Sequence, residues 1–231
     1  MLCGTWWIDV GQGGQGGQGR RGDACTPGGG RHDPGLRCGV QAPQDAALWH
    51  AVADGLQRDV DAGLRHLLNE DWLRAVAIRA LVAAGTAPRA IRIEEPSPTG
   101  GRIDLVLRGH GADMDVEFKF PREPRATNAA DTMAVGSVIA DLARLAQRHA
   151  GRRIAVHLLE ERFVGHLRRR TDVALLMRPG QELVITPEVA MRLPKSAVAM
   201  YDGRFPARPV TAICTLSRPI GDLVLQVLYV Q

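Results

Sequence analysis

Two short stretches, Ile103-Asp-Leu-Val-Leu107 and Val116-Glu-Phe-Lys-Phe120, limit what this chain can fold into more than any other part of it. In each, apolar side chains recur at every second position, which is the period of a strand and not of a helix. Ile103, Leu105 and Leu107 take one face of the first strand and Asp104 the other. Val116, Phe118 and Phe120 take one face of the second, and Glu117 and Lys119 the other. Arg108-Gly-His-Gly-Ala112 between them is turn material. A hairpin of the two brings an aspartate, a glutamate and a lysine together over an apolar floor. Two carboxylates offer the hard oxygens that Mg²⁺ prefers. A lysine beside them can steady a water or a developing negative charge. The plainer alternative is an amphipathic hairpin whose Glu/Lys face is solvated.

Composition bears on that choice. The chain has 29 Lys+Arg, and only two of them, Lys119 and Lys195, are lysines. A merely solvated face would be expected to carry arginine here, as the rest of the chain does. Lysine is a compact, mobile point charge, whereas arginine is a fixed planar cation. Its use at position 119 therefore favours a chemical role over a solvated one.

The pattern resembles the PD-(D/E)xK nuclease superfamily, with Asp104 on one strand and Glu117-Phe118-Lys119 on the next. Ile103 stands where the name-giving pattern has proline. The resemblance runs in element order from about Asn69 to Leu167. It implies an α/β fold with a restriction-endonuclease-like αβββαβ core, a mixed central sheet flanked by helices. It also implies Mg²⁺ (or Mn²⁺) held by Asp104, Glu117 and the Phe118 carbonyl, with Lys119 beside the attacking water. Glu70, on the helix before the first strand, is a further catalytic candidate, with Asp71 as its substitute, although an acid in a helix first turn is also stabilised by the helix dipole alone. Glu94 and Glu95 are weaker candidates at a strand end. Arg122, Arg125 and Arg168 are candidate phosphate contacts. The implied function is metal-dependent hydrolysis of nucleic acid, DNA before RNA, in a bacterial cytoplasm. The alternative is a nuclease-fold binding protein with little or no turnover. A homodimer or a targeting partner protein would fit either.

The remaining sequence frames this core. Residues 1–43 contain Gly11-Gln-Gly-Gly-Gln-Gly-Gly-Gln-Gly19 and read as a disordered tract with too little apolar surface to offset its ordering entropy. The folded domain is expected over residues 44–231. Leu48, Trp49, Val52, Leu56, Val60, Leu64 and Leu67 fall at helical spacing, with Gly55 and Gly63 as candidate breaks. A second helix follows Asn69 as N-cap, carries Trp72, Leu73, Val76, Ala80 and Leu81 inward, and ends at Gly85. Strands are expected at 91–95, 153–159, 173–176, 182–185, 210–216 and 223–230, and helices at 134–149 and 163–170. Arg144, Arg148 and the run Arg168-Arg-Arg170 read as ordinary helix surface or as phosphate contacts. His157 reads as a core histidine, and His110 as turn.

Other function classes find no support. The sequence has no P-loop, dinucleotide fingerprint or G-x-S-x-G elbow. Its four cysteines form no C-x-x-C pair, so neither a zinc ribbon nor a disulfide framework is expected. No apolar run approaches the ~20 residues of a membrane span. A net charge of +4 suits a phosphate-bearing partner.

Overall fold

The computed structural model describes residues 43–97, 100–109, 113–121, 128–169, 173–201 and 205–231, all within one compact unit. The glycine-rich tract up to residue 42, His110, Arg122, Arg125 and Arg170 lie outside the described residues.

The chain opens with α1 (Pro43–Asp61) and α2 (Glu70–Ala83), which pack against each other. Three strands follow, β1 (Ile91–Pro96), β2 (Arg102–Leu107) and β3 (Met114–Lys119), then α3 (Asn128–Ala146), β4 (Arg152–Glu160) and α4 (Glu161–Arg169). The remainder is β5 (Glu182–Ile185), the short helices α5 (Pro187–Met191) and α6 (Lys195–Val198), and a long hairpin of β6 (Val210–Ile220) and β7 (Leu223–Val230). The seven strands form one mixed sheet in the order β1-β2-β3-β4-β7-β6-β5. Only β3 and β4 run parallel, and α3 is the crossover that such a pair requires. The order α2-β1-β2-β3-α3-β4 is the expected helix, three strands, helix, strand.

Each sheet face has its own apolar core, as a three-layer α/β arrangement demands. On one side α1 and α2 cover Leu105, Leu107, Met114, Val116 and Phe118. On the other, α3 and α4 cover Ala155 and Leu159, and the β6–β7 hairpin extends that core through Ala212, Cys214 and Leu228. Asn69 caps α2 as expected, its side chain accepting the Trp72 N–H at 2.8 Å.

Several expectations need correction. Of the two candidate breaks in the first helix, Gly55 lies within α1 and Gly63 is where the helical run is interrupted. Gly63 adopts φ +80°, which a side chain would disfavour, and a turn of 3₁₀ helix takes over at Leu64–Leu67. That shift exposes Leu67 and buries Leu68 instead. Residues 173–176 form no strand, although Val173, Leu175 and Met177 alternate inward. The fully buried Gln226 meets their backbone in place of a neighbouring strand, donating to Leu175 O at 2.8 Å and accepting from Met177 N at 2.9 Å. The helix expected at 134–149 begins at Asn128. α5 and α6 were not expected at all. α6 packs on α3 at Gly136, where a Cβ would lie 2.3 Å from Ala197 O, so only glycine permits that approach. Among the described residues no helix is long and apolar enough to cross a membrane.

Candidate active site

Asp104 stands where the sheet is interrupted on both sides. The β2–β3 pairing runs from Leu107↔Met114 to Leu105↔Val116 and stops there, one residue short of Asp104 and Glu117. Toward β1, Ile93 pairs with Leu105 and Glu95 with Ile103, but Glu94, opposite Asp104, does not pair. Glu94 has φ +51°, the only positive φ at a non-glycine among the described residues. Such a backbone costs of order 1 kcal/mol or more and needs support from its surroundings. Arg102 holds the Glu94 carboxylate at 2.9 Å and Arg74 of α2 approaches it at 3.4 Å. Where the β2–β3 ladder ends, the Asp104 carboxylate itself accepts the Phe118 N–H at 2.8 Å. The N–H and C=O of one strand residue point to the same edge. The Phe118 carbonyl therefore faces the same gap as Asp104.

Glu117 and Lys119 lie on the α3 face, as their alternation with Val116 and Phe118 requires. This face is not solvated: Glu117 is 3% exposed. α3 supplies its partners. Arg144 Nε donates to Glu117 Oε1 at 2.9 Å, and Arg144 Nη2 to Asp141 Oδ1 at 2.7 Å. The second oxygen of Asp141 meets Lys119 Nζ at 3.2 Å. From the opposite helix layer, Glu70 accepts the Phe120 N–H at 3.3 Å and its carboxylate lies 3.9 Å from Lys119 Nζ. Four carboxylates, Glu70, Asp104, Glu117 and Asp141, are thus gathered around Lys119 and Arg144.

The electrostatics follow from burial and from this crowding. Burial raises the Glu117 carboxyl to about 8 against the pull of Arg144, with Asp141 and Asp104 adding to the rise. Burial likewise raises Asp141, opposed by Lys119 and Arg144, and raises Glu70, opposed by Lys119. Burial pulls the Lys119 ammonium down, but Asp141 and Glu70 outweigh it and the net shift is upward, so it stays charged at neutral pH. His157 pairs in register with Lys119 on β4. Burial first, and then the Lys119 charge, lower it to about 3, so it is neutral.

Asp104, Glu117, Phe118, Lys119 and Glu70 are therefore brought to one end of the sheet. The others are not. Asp71 is exposed and paired with Arg74. Glu95 turns to Arg108 at 2.9 Å, away from the cluster. Arg168 is exposed on the last turn of α4, and no contact among the described residues ties it to the cluster. Arg144 and Arg148 are not ordinary surface: Arg144 is enclosed between Glu117 and Asp141, and Arg148 Nε holds the fully buried Asp115 at 2.6 Å. Asp141 was missed. The signal available for it was the spacing Asp141, Arg144, Arg148, which places three charges along one stripe of an otherwise apolar helix.

The donor set suits a hard divalent cation, with carboxylate oxygens on adjacent strands and a backbone carbonyl on the same edge. Among the described residues, however, no three Asp, Glu, His or Cys side chains converge as a ready-made ligand shell. Glu117 and Asp141 point at Arg144 and Lys119. Comparison of the chain with family models, with curated proteins and with solved structures finds no match in any of the three.

Proposed function

We propose that this chain is a divalent-cation-dependent nuclease of the PD-(D/E)xK type, acting on DNA in the cytoplasm. The observation that carries the proposal is the meeting of Asp104, Glu117 and Lys119 at the interrupted end of the β2–β3 ladder, amid more carboxylates than cations. That excess favours recruitment of a cation. The αβββαβ order supports the same reading, with the motif residues on its second and third strands. Fold alone assigns no activity, so the weight rests on the site.

Asp104, Glu117 and the Phe118 carbonyl would hold Mg²⁺ or Mn²⁺, which supplies Lewis acidity and offsets charge on the scissile phosphate. Lys119 would orient the attacking water or stabilise the negative charge that develops on the phosphoryl oxygens. Glu70 and Asp141 fix the lysine's position and keep it protonated. It therefore acts as a cation and not as a general base. The net charge of +4 favours approach of a polyanion.

A second reading is a nuclease-fold binding protein without turnover, working with a partner protein or as a homodimer. It is favoured by Glu117 and Lys119 each already holding an ion-pair partner. One experiment separates the two. Supercoiled and linear DNA and RNA are incubated with the protein in Mg²⁺, in Mn²⁺ and in EDTA, beside Asp104→Asn. Cleavage that needs the cation and is lost in Asp104→Asn establishes the nuclease. Nucleic-acid binding without cleavage under every condition establishes the binding protein.

A further inference from the structure

We infer that Arg144 is the site's internal counter-ion and yields Glu117 to an arriving divalent cation; this rests on the metal-dependent reading of the site. The Nε and Nη2 of a guanidinium lie along one edge of a rigid plane, an edge that commonly grips both oxygens of a single carboxylate. In Arg144 it grips one oxygen from each of two carboxylates, Glu117 Oε1 at 2.9 Å and Asp141 Oδ1 at 2.7 Å. The arginine therefore holds side by side two acids that would otherwise repel each other.

The two holds are not equivalent. Asp141 and Arg144 are three residues apart on α3, so their contact belongs to the helix and survives any change at the strand. Glu117 is on β3, and its contact with Arg144 joins two separate elements. Glu117 is also the ligand that the candidate site requires, and the arginine occupies its Oε1. A cation that takes Glu117 through Oε1, or through both oxygens, displaces Arg144 Nε, while Asp141 keeps the guanidinium anchored to its own helix. On its other side Arg144 Nη1 lies beside Gly101, where an added Cβ would be 3.8 Å away. Asp141 Oδ2, buried and in contact with Lys119, gives the anchor a second tie. A structural arginine and an exchangeable one respond differently to substitution. Losing a structural arginine weakens the site, and losing a competing one strengthens cation binding.

The test is calorimetric titration of the full chain with MnCl₂ and MgCl₂, comparing native protein with Arg144→Met. Exchange predicts that the variant binds the cation ~10-fold more tightly or better, because the competitor is gone. Equal or weaker binding in a folded variant overturns the proposal, because Arg144 is then scaffold. Should Arg144→Met fail to fold, the native protein is followed by NMR at the Arg144 Nε–H, whose exchange with water is slowed by its bond to Glu117. Addition of Mg²⁺ should shift that signal and speed its exchange. A resonance indifferent to a cation that calorimetry shows to be bound overturns the exchange while leaving the metal site intact. Absence of cation binding in native protein and variant alike overturns the metal reading, and the exchange with it.

Discussion

Two ion-pair clusters stand on the same face of β3, built from the same parts with opposite results. Asp115 and Glu117 are two residues apart on β3, while Arg144 lies in the last turn of α3 and Arg148 two residues past its end. Because the helix runs antiparallel to the strand, each acid meets its own arginine. At the Asp115 end each carboxylate oxygen takes a guanidinium, Arg108 at 2.7 Å and Arg148 at 2.6 Å. Asp115 itself thus has two cations, one of which, Arg108, it shares with Glu95 at 2.9 Å, and it is fully buried. At the Glu117 end one arginine is shared between two acids, and one lysine between Asp141 and Glu70. The same sheet and helix thus form a saturated, structural pair at one end and a cluster short of positive charge at the other. The second kind has a use for a cation. Loss of an acid should hurt the first cluster and spare the stability of the second.

The largest expected effect tests the saturated end. Asp115→Ala takes from Arg148 the carboxylate it holds and leaves Arg108 only Glu95 and Asp113. Removing one partner of a buried pair costs about 3–5 kcal/mol. Denaturant unfolding should show a loss of that size. A change below ~1 kcal/mol would mean that the Asp115 cluster is not structural, and the contrast between the two ends would fail.

At the other end the expected loss is catalytic. Lys119→Met and Lys119→Arg should each reduce DNA cleavage by at least ~10²-fold, the scale of one preorganised transition-state contact, while cation binding and unfolding change little. Arginine retains the charge but not the compact head that fits between Asp141 and Glu70. A fully active Lys119→Arg protein would break the mechanistic role of Lys119 even if Asp104 and Glu117 bind metal.

The site end should also carry a pH signature. The folded protein keeps His157 neutral down to about 3, whereas in the unfolded chain it takes a proton near 6.5. Between those values the unfolded state binds the extra proton, so this contribution to stability rises with pH and is lost as pH falls from 6.5 toward 3. One proton corresponds to a slope of about 1.4 kcal/mol per pH unit. Unfolding free energies measured between pH 4 and 6 should lose that slope in His157→Gln. Identical slopes in the two proteins would show that His157 protonates without unfolding.

How much of this was legible in the sequence depends on the range of each interaction. The alternation in 103–107 and 116–120 placed Asp104, Glu117 and Lys119 on one face, because strand period is local. Asn69 as N-cap was equally local. The surroundings of that face were not legible. Nothing in residues 114–120 announces that α3 will cover Glu117, or that Arg144, one of many arginines in the chain, will be its partner. The strand expected at 173–176 failed for the same reason. Its alternation is real, but Gln226, some fifty residues later, supplies the hydrogen bonds that a strand would have made. The interruption of β1 at Glu94 is a backbone event with no compositional mark, since glutamate rarely adopts φ above zero.

The smallest expected effect has the most diagnostic sign. Glu117→Gln keeps the shape of the side chain and an oxygen that can still accept from Arg144 Nε. It removes a buried carboxylate whose burial and acidic neighbours, Asp141 and Asp104, disfavour the charge. Asp141 continues to hold Arg144, so no guanidinium is stranded. In EDTA at pH 8.5 the variant should therefore be as stable as the native protein or more stable, by on the order of 1 kcal/mol. Addition of Mg²⁺ should stabilise the native protein and leave Glu117→Gln unmoved, because a ligand that binds only the folded state raises stability by mass action. The same carboxylate would then be a liability without the cation and an asset with it. Asp115→Asn at the saturated end should show neither behaviour: a loss in EDTA, and the native protein's full response to Mg²⁺. If Glu117→Gln instead loses stability in EDTA as Asp115→Asn does, both clusters are structural and the charge shortage around Lys119 has no function.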